Sequence, residues 1–495
     1  LDIEFVPRLE YGLTIPVIRA EGSDFLVRGG PVALRLSTTA SLSMGRVGVQ
    51  GRITLQAGDA VGFAVQYASS WEASPETWSQ QRIAHRLADT LKAWRSWEAD
   101  HQRYEGAYRD LVHHSGRVLQ ALTYQPTGAI IAAPTTSLPE AVGGERNWDY
   151  RFAWMRDASL TLDALWIAAC PDEAASFVRY LTTVASTFRE SGRLQIMFGI
   201  RGERDLTERT LHRLEGWRGS RPVRIGNDAW RQVQLDVYGE LLGAFHRLGD
   251  RIGPLDELAQ TFLTGLADAA AASWQEADHG IWEMRGQPDH YVHSKLMCWV
   301  ALDRAIALAP TIGAGDQVEH WTQVRAEIRS AILEQGWSDA ANAFTQTFGG
   351  TQLDASNLLI PIVGFLPAND PRVVATIEAT ERGLTDGKGL VYRYRAEDGL
   401  AGEEGAFLLC TFWLAEALAR AGQPERAREV FDRAAAYRND VDLLSEEVEV
   451  STGELIGNFP QAFSHVGLVN AAWAITEAEQ GHDRQPLPGG LPHLV

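Results

Sequence analysis

The sequence predicts a mainly helical protein: an (α/α)6 barrel of helix pairs preceded by a small N-terminal β-sandwich. Two observations lead there. The first is a change of texture near residue 75. Before it, short runs rich in Val, Leu, Thr and aromatic residues are broken by Gly-containing turns; beyond it, apolar residues recur at helical spacing to about residue 480. The second is a division among the helical segments. DASLTLDALWIAA and GAFLLCTFWLAEALA are apolar nearly all round, as a helix buried on every side must be, whereas PERAREVFDRAAAYR has a charged face and a narrower apolar stripe. Inner and outer helices in alternation describe a ring of helix pairs. An irregular helical array has the same periodicity, so texture alone leaves both open.

Residues 1–75 contain FLVRGGPVALRLSTTASL and GRVGVQGRITLQAGDAVGFAVQYAS, which read as the strands of a β-sandwich, shortened to judge by its abrupt start. Residues 76–104 read as a helical linker. Ser74 and Pro75 offer its start, and Glu76 suits the positive end of the helix dipole. Residues 105–480 form the helical domain, with helices expected to begin near 105, 157, 172, 228, 254, 290, 317, 355, 371, 404, 423 and 461, two for each of six pairs. Residues 481–495 are a C-terminal tail.

A formal charge of −19 argues against nucleic acid and against an anionic membrane surface, both of which call for Lys/Arg-rich faces. A small neutral partner fits better. The longest apolar run, NLLIPIVGFLPA, is interrupted by Pro361 and falls short of the roughly 20 residues of a membrane span. No secretory signal is visible, so the cytoplasm is the default location, although the chain begins with Leu1 rather than Met. Cys170, Cys298 and Cys410 are far apart in apolar stretches and read as buried reduced thiols. Nucleophile-elbow, zinc-helix and complete phosphate-loop motifs are absent. His113, His114, His279, His290 and His293 lack partners at ligand spacing and read as ordinary histidines, so neither a metal nor a cofactor is expected.

Carboxylates beside aromatics are the chemical signal. In HGIWEMRG, Glu283 follows Trp282; a carboxyl against an indole, partly out of water, is raised in pKa and can serve as a general acid. A surface Glu283 paired with Arg285 is the competing reading. In LLSEEVEVSTGELIGNFPQAF, adjacent Glu446 and Glu447 disfavour ionising together unless donors solvate them, so one suits a catalytic role and the other an orienting one. A solvated acidic loop is the alternative. Glu403 and Glu404 open an apolar helix, and the helix dipole accounts for them. RNWDYRFAWMRD packs charges and rings directly before a buried helix, either as self-neutralising scaffold or as the polar wall of a site.

RNWDYRFAWMRD, PVRIGNDAWRQVQLDVYGE, HGIWEMRG, GEEGAFLLCTFWLAEAL and GELIGNFPQAFSHVGL occur in the order found in the glucoamylase/trehalase family, glycoside hydrolase family 15, and residues 105–480 resemble it throughout. The resemblance implies an (α/α)6 barrel and inverting hydrolysis of a terminal α-glucosidic bond without a metal. It places the general acid at Glu283 and the general base at Glu446. It implies that Arg156 and Asp157 grip the terminal glucose, with Tyr150 and Trp154 as aromatic walls. Arg393 would contact the sugar near the scissile bond, Trp282 would line the same pocket, and Glu447 would help hold the water. Arg224, Asn227 and Asp228 are weaker candidates, and Asp228 also suits a helix cap.

Three departures separate the chain from many fungal glucoamylases: Met284 where they have a second Glu, Glu447 where they have Gln, and Phe463 where they have Trp. APTTSLPE, GGERNWDYR and NFPQAFSHVGL look closer to the bacterial and archaeal trehalases. The expectation is therefore an exo-acting α-glucoside hydrolase releasing β-D-glucose, with trehalose favoured over short α-1,4- or α-1,6-glucans. The different-class alternative is an inactive sugar-binding protein on the same fold. The only partner implied is a small neutral sugar; homo-oligomerisation stays open.

Overall fold

The computed structural model describes residues 1–102, 104–168, 172–185, 193–249, 255–395, 402 and 404–481 of the 495. The chain divides into two compact units, Leu1–Asp100 and His101–Val495.

The first unit has strands β1 (Asp2–Phe5), β2 (Val17–Glu21), β3 (Asp24–Gly29), β4 (Val32–Thr38), β5 (Ser43–Met44), β6 (Val49–Arg52) and β7 (Phe63–Ser69). They form two antiparallel sheets, ordered β2-β3-β4-β7 and β1-β6-β5. Register sets Ile18 opposite Val27 and Phe25 opposite Leu36, so these apolar side chains share one face. Phe25 and Leu36 pack there with Val49 of the second sheet, joined by Phe5, Ile18 and Leu42.

A helix follows, but at Gln80–His101 rather than at Ser74. Residues 74–78 are tied to the four-stranded sheet instead. Arg35 Nε donates to the Pro75 carbonyl at 2.5 Å, Gln66 donates to the Glu76 carbonyl, and the Trp78 N–H donates to Ser37. Ser79 then supplies the cap, its hydroxyl accepting from the Arg82 N–H.

In the second unit, twelve α-helical segments occur among the described residues. Six are largely buried: Met155–Ala168, Asp236–Leu248, Val292–Ile312, Leu359–Ile362 with the 3-10 turn Ala355–Leu358 before it, Leu408–Arg420 and Ala462–Glu479. Each packs against the next in this order, and the last packs against the first. Arg109–Ala121, Asp172–Ala185, Glu257–Ser273, Val318–Gln335, Pro371–Leu384 and Pro424–Ala435 lie against them with one face buried, the pattern their polar stripes dictate. Local signals set several starts. Asp256 caps Glu257–Ser273 through the Ala259 N–H at 2.8 Å, and Asp370 caps Pro371–Leu384, where Pro371 fills a first-turn position that needs no N–H donor.

Two expected starts move. Residues 228–231 are only a 3-10 turn, and the α-helix begins at Asp236. Asn227, not Asp228, caps that turn, while Asp228 accepts from the Glu208 N–H. The helix expected at 404 begins at Leu408, because Ala406–Phe407 pair as a short strand with Glu447–Val448. Cys298 and Cys410 are buried and free; Cys170 lies outside the described residues. Among those residues no helix is long and apolar enough to cross a membrane.

Candidate active site

The segments leading into the N-terminal ends of the buried helices converge on one cavity. Its walls include Tyr150, Trp154, Arg156, Asp157, Trp282, Glu283, Arg393 and Glu446, eight of the nine residues singled out from the sequence. The ninth, Glu447, is fully buried behind the wall: its Oε2 accepts from the Gly405 N–H at 2.9 Å, and its Oε1 lies 3.5 Å from Arg393.

On one side, Trp154 donates its indole N–H to Glu283 Oε1 at 2.6 Å, and Arg156 Nη2 lies 3.7 Å from the same oxygen. Glu283 sits at φ 59°, a left-handed backbone that costs a non-glycine residue about 1–2 kcal/mol. Neighbouring contacts hold it there: the Glu283 N–H bonds to the Gly280 carbonyl, and Gln232 donates to the Glu283 carbonyl. Arg285 does not pair with Glu283. Its guanidinium lies 4.4 Å from the Trp148 ring centroid, and Arg224 lies 4.5 Å from the same ring.

Arg156 and Asp157 open the buried helix Met155–Ala168, where an acidic side chain meets the positive end of the dipole. Asp157 Oδ2 accepts from Arg156 at 3.1–3.2 Å, while Arg156 Nη1 donates to the Ile281 carbonyl at 2.7 Å. Burial pushes the Asp157 carboxyl up to about 6 against the pull of Arg156. Trp282 points its N–H at Asp354, 3.0 and 3.1 Å from the two carboxylate oxygens, and packs edge-on against Phe407.

On the other side, Tyr150 Oη is 2.8 Å from Glu446 Oε1 and 3.3 Å from Glu140 Oε1. Its ring meets Trp154 edge to face at 5.6 Å, so adjacent rings carry the hydrogen bonds to Glu446 and Glu283. Arg393 reaches Glu404 at 2.6 Å and Glu140 at 3.3 Å, and Arg146 also pairs with Glu404. Glu404 is therefore engaged by two guanidiniums ahead of its helix rather than by the helix dipole; Glu403 lies outside the described residues. Four carboxyls against two guanidiniums in a dry place resist full ionisation. Burial raises Glu140 to about 7 and holds Glu446 and Glu447 well above the usual carboxylate range.

Gly457 backs this side at φ +78°, and a Cβ added there would stand 2.8 Å from both Cβ and Oε2 of Glu446. Gly457→Ala is expected to displace Glu446 and lower kcat at least tenfold, with strain of about 1–2 kcal/mol in the backbone. Steady-state kinetics with thermal melting checks this; unchanged kcat would show that Glu446 tolerates the shift.

Sequence reasoning missed Glu140, Arg146, Trp148, Glu404 and Asp354. APTTSLPE contains Glu140, but a lone Glu after Pro carries no chemical pattern of its own. Arg224, Asn227 and Asp228 do not line the cavity; Asn227 is buried, with its side-chain oxygen capping the 3-10 turn and its amide reaching the Asp149 carbonyl. Among the described residues, no group of three or more His, Cys, Asp or Glu side chains is placed to hold a metal ion.

Residues 106–473 match the model of glycosyl hydrolases family 15. The chain belongs to this family. It is 40% identical to a trehalase of Mycolicibacterium smegmatis over 459 residues, covering 91% of this chain and 67% of that protein. A trehalase of Thermoplasma volcanium is 35% identical over 478 residues, 97% of this chain and 75% of that protein. The chain thus spans about two thirds to three quarters of the length of these relatives. Among solved structures, a bacterial glucoamylase complexed with acarbose superposes with a TM-score of 0.68 at 16% identity, covering 91% of this chain and 73% of that one; the likeness is one of fold.

Proposed function

We propose that this family 15 glycoside hydrolase is an inverting, exo-acting trehalase, with its active site in an (α/α)6 barrel over residues 105–480 that follows a β-sandwich domain in the sequence. The observation that carries the reading is the pair of carboxylates across one cavity, Glu283 on Trp154 and Glu446 on Tyr150, with the two rings in contact. Glu283 protonates the departing glycosidic oxygen, and Glu446 takes a proton from the water that attacks the anomeric carbon from the opposite face. Room for that water calls for carboxyls roughly 6.5–9.5 Å apart.

Asp157 offers acceptors to the hydroxyls of the terminal glucose, with Arg156 balancing its charge. Tyr150, Trp154 and Trp282 present ring faces and polar tips to the sugar. Arg393 marks the wall near the scissile bond, and Glu447 acts from behind by holding Arg393. Trehalose is preferred because the named relatives are trehalases along most of this chain's length.

The test is proton NMR of fresh digests of trehalose, maltose and isomaltose. Trehalose is expected to yield one β-glucose from the attacked ring and one α-glucose from the leaving ring. Initial release of α-glucose alone would exclude inversion. Cleavage of maltose or isomaltose in place of trehalose would move the enzyme to the glucoamylase side.

A further inference from the structure

Tyr150 lies within hydrogen-bond reach of two buried carboxyls, 2.8 Å from Glu446 Oε1 and 3.3 Å from Glu140 Oε1. A phenol carries one hydrogen, so Tyr150 cannot donate fully to both. A consistent chain of donors needs one more proton, and the surroundings say where it sits. Glu140 is 2% exposed, with its backbone N–H bonded to the Arg146 carbonyl and its Oε2 3.3 Å from Arg393. As a neutral acid it keeps its carbonyl oxygen toward Arg393 and turns its hydroxyl toward Tyr150.

We propose that Glu140 is a positioning residue for the base: protonated, it donates through Oε1 to the Tyr150 hydroxyl, which donates its own proton to Glu446 and keeps Glu446 a carboxylate. This rests on Glu446 being the base. Each contact along the chain Arg393–Glu140–Tyr150–Glu446 then joins one donor to one acceptor, and Glu446 Oε2 is left without a protein partner. The charged and titratable groups around Glu140 are Arg146 and Tyr150 from the segment before the first buried helix, Arg393 and Glu404 from the segment before Leu408, and Glu446 and Glu447 from the paired strand. With Arg146 and Arg393 already balanced by Glu404 and one further carboxylate, a proton on Glu140 removes the charge that most directly opposes an ionised Glu446.

Glutamine reproduces this arrangement, its carbonyl facing Arg393 and its amide donating to Tyr150; leucine fills similar space with no donor. Glu140→Gln is therefore expected to keep kcat near neutral pH within about threefold and to leave the acidic limb of the kcat/KM profile within about 0.3 pH unit of the wild type, because the neutral Glu140 already places no charge beside Glu446. Glu140→Leu is expected to lose roughly ten- to a hundredfold in kcat, the cost of one hydrogen bond supporting a charged group. Both are measured on trehalose and on α-glucosyl fluoride, beside Glu446→Gln and with thermal melting of each variant. Tyr150→Phe is expected to erase the difference between the Gln and Leu variants, and it keeps the proposal testable should Leu destabilise the fold. An inactive Glu446→Gln, together with an acidic limb that falls by about one pH unit in Glu140→Gln, as removal of an ionised neighbour would give, or with equal kcat for Gln and Leu, overturns the role of Glu140 alone. A Glu446→Gln enzyme with near wild-type turnover overturns the base assignment and this inference with it.

Discussion

Glu283→Gln is expected to lower kcat on trehalose by about 10²–10⁴, the range supplied by a positioned general acid, with little change in KM. Glutamine keeps the shape and can still accept from the Trp154 N–H that now meets Glu283 Oε1 at 2.6 Å, so binding of the sugar is preserved. It cannot give a proton to the departing oxygen. α-Glucosyl fluoride separates the two effects, because fluoride leaves without protonation: the variant should hydrolyse it within about tenfold of the wild type, since the base and the water are untouched. Equal losses on both substrates would mean that Glu283 positions the sugar rather than protonating it. Retained turnover on trehalose would remove Glu283 from the chemistry altogether and favour a role for Arg156 and Asp157 in binding alone.

Arg393→Met is expected to be the most damaging change to stability in the site, at about 3–5 kcal/mol, because it leaves buried carboxylates without their counter-ion. Arg393 touches Glu404, Glu140 and Glu447, and all four side chains are at most 11% exposed. The sign of its pH dependence follows from Glu140. That carboxyl is raised in the folded state from its ordinary 4.5 to about 7, so the folded protein binds the proton more tightly than the unfolded chain. Its contribution is therefore most favourable below the ordinary value and declines as pH rises from 4.5 to 7. Without Arg393, which pulls the value down, the folded-state pKa climbs further. The stability deficit of the variant should consequently be level up to about pH 7, where both folded proteins keep the proton, and grow above it as only the wild type releases it. Denaturant melts at several pH values check this. A deficit independent of pH would show that packing of the Arg393 guanidinium over Phe407 and Trp282, rather than its balance of the carboxyls, is what the substitution removes.

Sequence alone carried the pattern of helices because burial imposes a period that composition records: the segments from Leu408 and Met155 are apolar on all sides because neighbours cover all sides. It also carried the aromatic–carboxylate motifs, since Trp282–Glu283 and Tyr150 to Asp157 are contiguous in the chain. What the sequence could not express is which distant groups share one proton or one counter-ion. Glu140 and Glu446 are separated by most of the helical unit, and only the close approach of both to Tyr150 makes them a pair. Likewise Glu404 reads as a helix-dipole residue until Arg393, eleven residues earlier, and the distant Arg146 reach it. The helix at Gln80 starts late for the same reason, since side chains of a sheet formed earlier in the chain capture residues 74–78. Periodicity and local motifs are properties of neighbours along the chain and survive in the sequence. Hydrogen bonds and charge balance between buried polar groups depend on distances of a few ångströms, which tertiary packing alone decides.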